Sequence, residues 1–364
     1  MSGVLRAGSE NTLPMARTAA PVRVRDLRID AAKALAIVLV VLGHAKGIPQ
    51  AFTILVYSFH VPLFFFLSGW VGEGHGSARA GWAAWKKLAR TLLVPYVFFF
   101  ALGYVYWLLT RNIGEKAARW GERPWWEPLH GLFSGIGPEL YVQPALWFLP
   151  ALFVTTLVYL YLRPRVSPGW LVLSMGILSW LWIGWFPAQG VRLPFALDVL
   201  PVALFFFAGG ALCSQAGWLL PRSGAGSAIA ILVLGLPWLV LAWRNGRVDI
   251  NQLEFGYSRI AFLVASMLGT AMALCAVQLF KHLRWVQWIG RNTLLVLCTH
   301  LLVFFVLSGV ASLLGGFGPT GPGVVWALFV SIVALLACVP IRAVLMRWAP
   351  WSLGVRPVSA GAVA

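Results

Sequence analysis

The sequence predicts an all-α, polytopic membrane bundle of about ten transmembrane helices, with both termini on the cytoplasmic side (N-in, C-in). Three observations carry this expectation. Of the 364 residues 60 % are hydrophobic and 11 % charged, with mean hydropathy +0.82, whereas a soluble domain carries about 25 % charged residues. The apolar residues gather into stretches at 31–48, 51–72, 88–110, 143–163, 169–187, 193–214, 226–243, 258–280, 293–314 and 322–345. Each is long enough, or nearly so, to cross a ~30 Å hydrocarbon core. With alternating crossings, 19 of the 28 Lys and Arg fall on the side of the N-terminus and 9 on the other, the bias that marks the cytoplasmic side. The net charge of +17 is scattered over short loops and forms no patch, so it reads as topology signals, and no nucleic-acid partner is expected.

Residues 1–28 are rich in Ala, Arg and Ser without an apolar core, as expected of a disordered cytoplasmic tail. The membrane domain is expected over 29–346 and a second cytoplasmic tail over 347–364. The first apolar run is only about ten residues long and could mimic a signal peptide. No A-x-A pattern follows it, and nine further spans do, which argues against that reading. So short a span, with Lys33 in its opening turn, is expected to lie among other helices and not to face lipid.

That first span carries the sharpest functional signal. Lys33 and His44 are eleven residues apart, which at 100° per residue returns a helix to within about 20° of its starting face and separates the two by about 16 Å. Asp30 lies near the same stripe. Ionisable groups inside a span cost about 2.5–3.5 kcal/mol each on insertion scales and usually face a pathway or a reaction site. His44, some thirteen residues into the span, lies past the midplane, where an imidazole titrating near neutrality can take a proton from a hydroxyl. Lys33 is too distant to touch it; it binds a ligand, pairs with Asp30, or simply snorkels.

In the second span, Ser58-Phe-His60-Val-Pro62-Leu-Phe-Phe-Phe-Leu-Ser68-Gly69, Pro62 frees a backbone carbonyl that a neighbour must satisfy. Ser68 and Gly69 suit close helix packing. His60 either lines the site at the level of His44 or makes a structural hydrogen bond. Lys87 and Arg90, three residues apart before the third span, face the same way; they are ordinary inner-loop charge or a clamp for a phosphate-bearing cytosolic donor. The loop 111–142 holds four basic and four acidic residues with Trp120, Trp125 and Trp126, a membrane-interface belt or a platform for sugar rings. Asp198 is an intramembrane carboxylate, either a site residue or the ion-pair partner of Arg192. His300, in the ninth span, is a site residue or a helix–helix hydrogen bond. Glu139 and Glu254 are expected as solvated loop carboxylates. Cys213, Cys275, Cys298 and Cys338 sit in apolar runs without ligand spacing, so no metal is expected. No inverted repeat relates the two halves, which weakens a transporter reading.

Taken together, several pieces resemble the acyltransferase-3 family of ten-span membrane acyltransferases over about residues 25–345. They are the Lys33-x10-His44 pair, the Phe59–Gly69 run, the Lys87-x-x-Arg90 pair before Pro95-Tyr96, Leu146-Trp147-Phe148-Leu149, and Asn292-Thr293-Leu294 followed by His300. The family places Arg or Lys at the position of Lys33, and Lys87 is also within its pattern. Inside the family the chain resembles the branch that O-acetylates exopolysaccharide sugars, the fucose-4-O-acetylase-like proteins. The resemblance implies a multi-pass enzyme of the bacterial inner membrane with acetyl-CoA as donor, docked from the cytoplasm on Lys87 and Arg90. His44 would act as general base or transient acyl carrier, with His60 beside it. Lys33, Trp147 or a freed backbone group would stabilise the oxyanion. The implied acceptor is a polyprenyl-linked oligosaccharide or nascent exopolysaccharide, with mannose of a xanthan-type repeat unit as the sugar, and polysaccharide-assembly proteins are implied partners. Three rivals stand beside this: a translocator of lipid-linked sugars, a non-catalytic scaffold, and an acyltransferase using succinyl or another acyl group.

Overall fold

In the computed structural model the described residues are 26–74, 81–217, 224–316 and 321–355. Most of the expected first tail, residues 1–25, and half of the second, residues 356–364, lie outside them. The described chain is all helical apart from its loops and one isolated β-bridge between Asp249 and Glu254. Its helices are α1 Leu27–His44, α2 Gln50–Tyr57, α3 His60–Gly74, α4 Trp82–Leu88 and α5 Val94–Thr110. Two short ones, α6 Glu115–Trp120 and α7 Glu127–Ser134, cover the long loop. There follow α8 Phe148–Leu162, α9 Pro168–Trp185, α10 Leu200–Gln215, α11 Gly224–Asn245 and α12 Arg259–Ala276. The chain closes with α13 Arg284–Arg291, α14 Thr293–Leu313 and α15 Val324–Trp348.

Among the described residues, nine helical stretches are long and apolar enough to cross a membrane, from Gln50–Glu73 to Val324–Trp348. They match the second to tenth expected spans. α1 is not one of them, because its eighteen residues include Arg28, Asp30 and Lys33. It is instead packed among other helices: Asp30 and eight apolar residues from Ile29 to Val41 are buried, against α3, α13 and α14. A charged helix is tolerated there because its ionisable groups meet protein and not hydrocarbon. The helix starts at Leu27, two residues inside the expected tail, with the Asp26 carboxylate capping the Arg28 N–H at 2.9 Å.

Proline chemistry shapes the elements around α1. Pro62 cannot donate to the carbonyl four residues back, that of Ser58. The second span therefore breaks into α2 and α3, and Pro62 falls in the first turn of α3, where no N–H is needed. The freed Ser58 carbonyl accepts the Ser266 hydroxyl of α12 at 2.6 Å, and the Trp238 indole of α11 donates to the Ser58 hydroxyl at 3.0 Å. Pro95 has a similar effect on the third span: the turn before it, Ala89–Leu93, widens to a π-helix.

α3 and α10 cross with their backbones nearly touching. A Cβ on Gly69 would overlap the Phe207 carbonyl, and one on Gly210 would overlap the Phe66 carbonyl. At one end of this pair Glu73 ties three helices together, accepting from Tyr159 (2.9 Å), Arg163 (3.1 Å) and Gln215. The segment Pro350–Leu353, within the expected second tail, folds back on the third span and sets Trp351 edge-on against Phe98 at 5.2 Å.

On the face opposite the start of α1, irregular segments meet in a polar layer. Asp198 is fully buried and takes the Arg192 guanidinium at 2.6 Å and the Leu193 N–H at 3.3 Å, while Arg192 also donates to the Asn251 carbonyl. Phe195, Ala196 and Leu253 have positive φ in the same layer, backbone strain of order 1–3 kcal/mol each. Burial holds the Asp249 carboxyl above the usual carboxylate range against the bonds it accepts from the Gln252 and Asn251 N–H groups. A raised folded-state value means that the folded chain binds the proton more tightly than the unfolded chain. Stability is thus lost as pH rises from the ordinary carboxyl value through the raised one. Asp249→Asn keeps the acceptor and removes the charge, so its thermal midpoint is expected to equal or exceed wild type at pH 7 and to match it at pH 4.

Candidate active site

The stripe predicted on the first helix lines a cavity. Lys33, Ile37, Val40 and His44, spaced four, three and four residues apart, form one wall of a space of about 230 Å³. α3 contributes His60, Val61, Phe64, Leu67 and Ser68. The opposite wall comes from Ala145, Trp147 and the first turns of α8, and Thr293, Leu294 and Leu297 of α14 complete the enclosure with Leu92. The cavity is a slot through the bundle, with Lys33 at the end near the start of α1 and His44 about 16 Å along it at 1.5 Å per residue.

At the far end the rings crowd. His60 is 4 % exposed, and its Nδ1 lies 2.9 Å from the Val56 carbonyl. A carbonyl only accepts, so Nδ1 carries the hydrogen and Nε2 holds the lone pair. Tyr57, on the last turn of α2, stands between the two histidines, its ring 4.8 Å from His60 and 6.5 Å from His44. Its hydroxyl donates to the Gly43 carbonyl at 3.3 Å. His300 packs 5.4 Å from His44 on the side of α14. The Trp147 ring, 7 % exposed, braces the slot edge-on to Phe148.

At the near end the first residues of α14 face the slot, and no side chain caps that helix. α14 begins here, with a single residue between it and the end of α13, and the first turn of a helix carries a partial positive charge. With Lys33 it gives the near end a positive potential suited to an anion.

Four of the nine candidate residues therefore line one cavity: Lys33, His44, His60 and Trp147. His300 stands directly behind them. Asp30 is buried beside α13, its carboxylate 3.6 Å from Arg291, where Gly290 admits the Asp30 backbone because a Cβ would collide with it. Asp198 lies in the opposite-face layer with Arg192. Lys87 is exposed on α4. Arg90 turns away from the slot into an outer groove with Val94, Val97, Phe98, Ala101 and Trp351. It sits in the π-turn two residues before Leu92, and two residues is roughly half a helical turn.

Sequence reasoning missed Tyr57 and Gln143. Gln143 is fully buried and donates to the Cys298 carbonyl at 3.1 Å, joining the loop before α8 to α14. The signal for Tyr57 was present, since it lies three residues before His60. Its role depends on the break at Ser58, which no helical periodicity carries across.

Chemically the slot offers two imidazoles at one end, a mostly apolar wall, and a lysine about 16 Å away at the other. That is a layout for moving a group from an anionic carrier to a hydroxyl. A family model described as an acyltransferase domain matches residues 26–343. The chain belongs to the acyltransferase-3 family. It is an acyltransferase built as a polytopic helical membrane bundle, and the matched segment contains every residue of the slot. No curated protein and no solved structure matches the chain. Among the described residues of this acyltransferase, no group of three or more His, Cys, Asp or Glu is placed to hold a metal.

Proposed function

We propose that this acyltransferase moves acetyl from acetyl-CoA to a sugar hydroxyl of a polyprenyl-linked oligosaccharide or nascent exopolysaccharide, at the inner membrane of a bacterium. The observation that carries the reading is the slot itself, with His44 and His60 at one end and Lys33 with the start of α14 at the other. If the start of α1 faces the cytoplasm, as the basic bias suggests, the donor enters at Lys33. Its diphosphate sits near the rim, with Lys87 and Arg90 on the surface outside. The thioester arm then runs along Ile37 and Val40 to His44.

His44 takes the proton of the sugar hydroxyl as it attacks the thioester carbonyl. The C–S bond then breaks and CoA leaves as the thiol, or His44 first accepts the acetyl itself. The Trp147 N–H is the candidate along the slot for stabilising charge at the reacting carbonyl; Lys33, about 16 Å from His44, serves the donor end instead. Acetyl is favoured over succinyl because Lys33 is the one Lys or Arg among the described residues lining the slot. It stands about 16 Å from His44, too far to pair with a succinyl carboxylate reacting there. Mannose of a xanthan-type repeat unit is the sugar suggested by the resemblance to the exopolysaccharide branch, and the exposed Trp125 and Trp126 are a surface on which such rings stack.

The test is the O-acetyl content of the host's exopolysaccharide, read by NMR, in a deletion strain with and without the wild-type gene restored. Acetyl that vanishes on deletion and returns on complementation, with polymer yield unchanged, supports the reading. Polymer lost altogether points to a translocator, and unchanged acetyl removes the proposed acceptor.

A further inference from the structure

The deepest ionisable side chain of the site is one the transfer chemistry has not yet used. His300 is fully buried, one turn beyond Leu297 on α14. Its Nδ1 is 2.9 Å from the Val296 carbonyl, and because that oxygen can only accept, Nδ1 bears the hydrogen. In the neutral ring Nε2 is then a lone-pair acceptor, and this atom is buried without a hydrogen-bond partner. A buried acceptor left unmade costs about 1–3 kcal/mol, so its retention calls for an explanation. Two rings stand against it, Phe304 edge-on at 5.8 Å and His44 at 5.4 Å. Of these only His44 has an N–H to give.

The spacing suits that donation. Two imidazoles joined by one N–H···N bond of about 3 Å have ring centroids roughly 5–5.5 Å apart. The 44° tilt between the rings is closed by a rotation of His44, which borders the slot and has room to turn. Such bonds are often long before substrate binds.

We propose that His300 is a positioning residue: its Nε2 accepts one N–H of His44 and so fixes the tautomer in which the other His44 nitrogen presents its lone pair to the slot. The role is that of the carboxylate in a Ser-His-Asp triad, which holds the imidazole in one tautomer and orientation. Here the orienting group is uncharged. Deep in a membrane bundle this avoids burying a lone carboxylate. When His44 takes the hydroxyl proton, the resulting imidazolium keeps its second N–H on His300 while the first points at the substrate. The catalytic consequence rests on His44 being the base; the pairing of the two rings does not.

Solid-state NMR of the wild-type protein in lipid, with 15N-labelled histidine, tests the pairing without any variant. A 15N–15N coupling across the hydrogen bond between His44 and His300, with His44 in one tautomer, is the expected result. Two tautomers of His44, or no coupling to His300, would overturn the proposal. Kinetics test the consequence. His300→Phe removes the acceptor and is expected to lower kcat about 10–100-fold, as loss of an orienting partner does, with KM for acetyl-CoA little changed. His300→Gln, whose amide oxygen can stand in for Nε2, is expected to recover part of that loss. A folded His300→Phe protein with wild-type kcat, or a His300→Gln protein no better than His300→Phe, also overturns it. If His44→Ala proves fully active, the base assignment fails, and the wild-type spectrum still decides the pairing.

Discussion

Replacing His44 by alanine is expected to lower acyl transfer by a factor of about 10²–10⁴, the usual worth of a positioned general base, while leaving the protein folded in the membrane. The two halves of that expectation have separate causes. His44 ends α1 at the slot wall and is only partly buried, so truncation enlarges an existing space and does not open a void in packed core. Alanine also suits the last turn of a helix. The chemical loss is expected to be large because the proposed base is gone, and water in a mostly apolar slot is a poor substitute. Transfer from labelled acetyl-CoA by purified protein in lipid nanodiscs measures the first half, and a thermal melt of the same sample measures the second. His60→Ala is the informative companion. It removes a buried imidazole, 4 % exposed, whose Nδ1 donates to the Val56 carbonyl, and opens a void in packed surroundings, so it is expected to reduce stability as well as rate. Should His60→Ala abolish transfer in a stable protein while His44→Ala keeps it, the two histidines exchange roles.

Much of this site was legible because one helix carries it. The spacing of Lys33, Ile37, Val40 and His44 is a helical stripe, and the structure sets all four on one wall. Pro62 told that some neighbour must satisfy the Ser58 carbonyl, but not that it is Ser266, 208 residues later. Asp198 drew attention by the general rule for intramembrane carboxylates. Its ion pair with Arg192, six residues earlier, was one of the two readings the sequence offered and is the one the structure shows. The positive-φ turns at Phe195 and Ala196 that close it are announced by no periodicity. Arg90 shares a helical face with Lys87 only while the helix stays regular. The π-turn induced before Pro95 adds a residue to that turn and changes which way the guanidinium points. The His44–His300 contact joins residues 256 positions apart, and only packing reveals it. Local period reads the wall of a site, whereas the partners of its buried polar atoms are set by tertiary approach.

The close approach of α3 to α10 is the part of the fold on which the slot most depends, and it yields the largest expected effect on stability. A single methyl group at Gly210 would meet the Phe66 carbonyl carbon at 2.7 Å and the Trp70 nitrogen at 3.0 Å. Backbone cannot swing aside as a side chain can, so the helices must separate. Gly210→Ala is therefore expected to cost about 3 kcal/mol, the upper part of the range for overpacking, seen as a lower thermal midpoint in detergent. Gly209→Ala is the control. A Cβ there meets only the Phe66 ring at 3.8 Å, an ordinary contact, and its slight effect is expected to be no larger than the general preference of helices for alanine over glycine. The two adjacent glycines thus separate backbone collision from composition. Because α3 also carries His60, Val61 and Phe64 along the slot, the Gly210 variant should lose transfer at temperatures where it is still folded, and the Gly209 variant should not. Equal effects at both positions would mean that the α3–α10 crossing is looser than its geometry, and that the slot takes its shape from α1 and α14 instead.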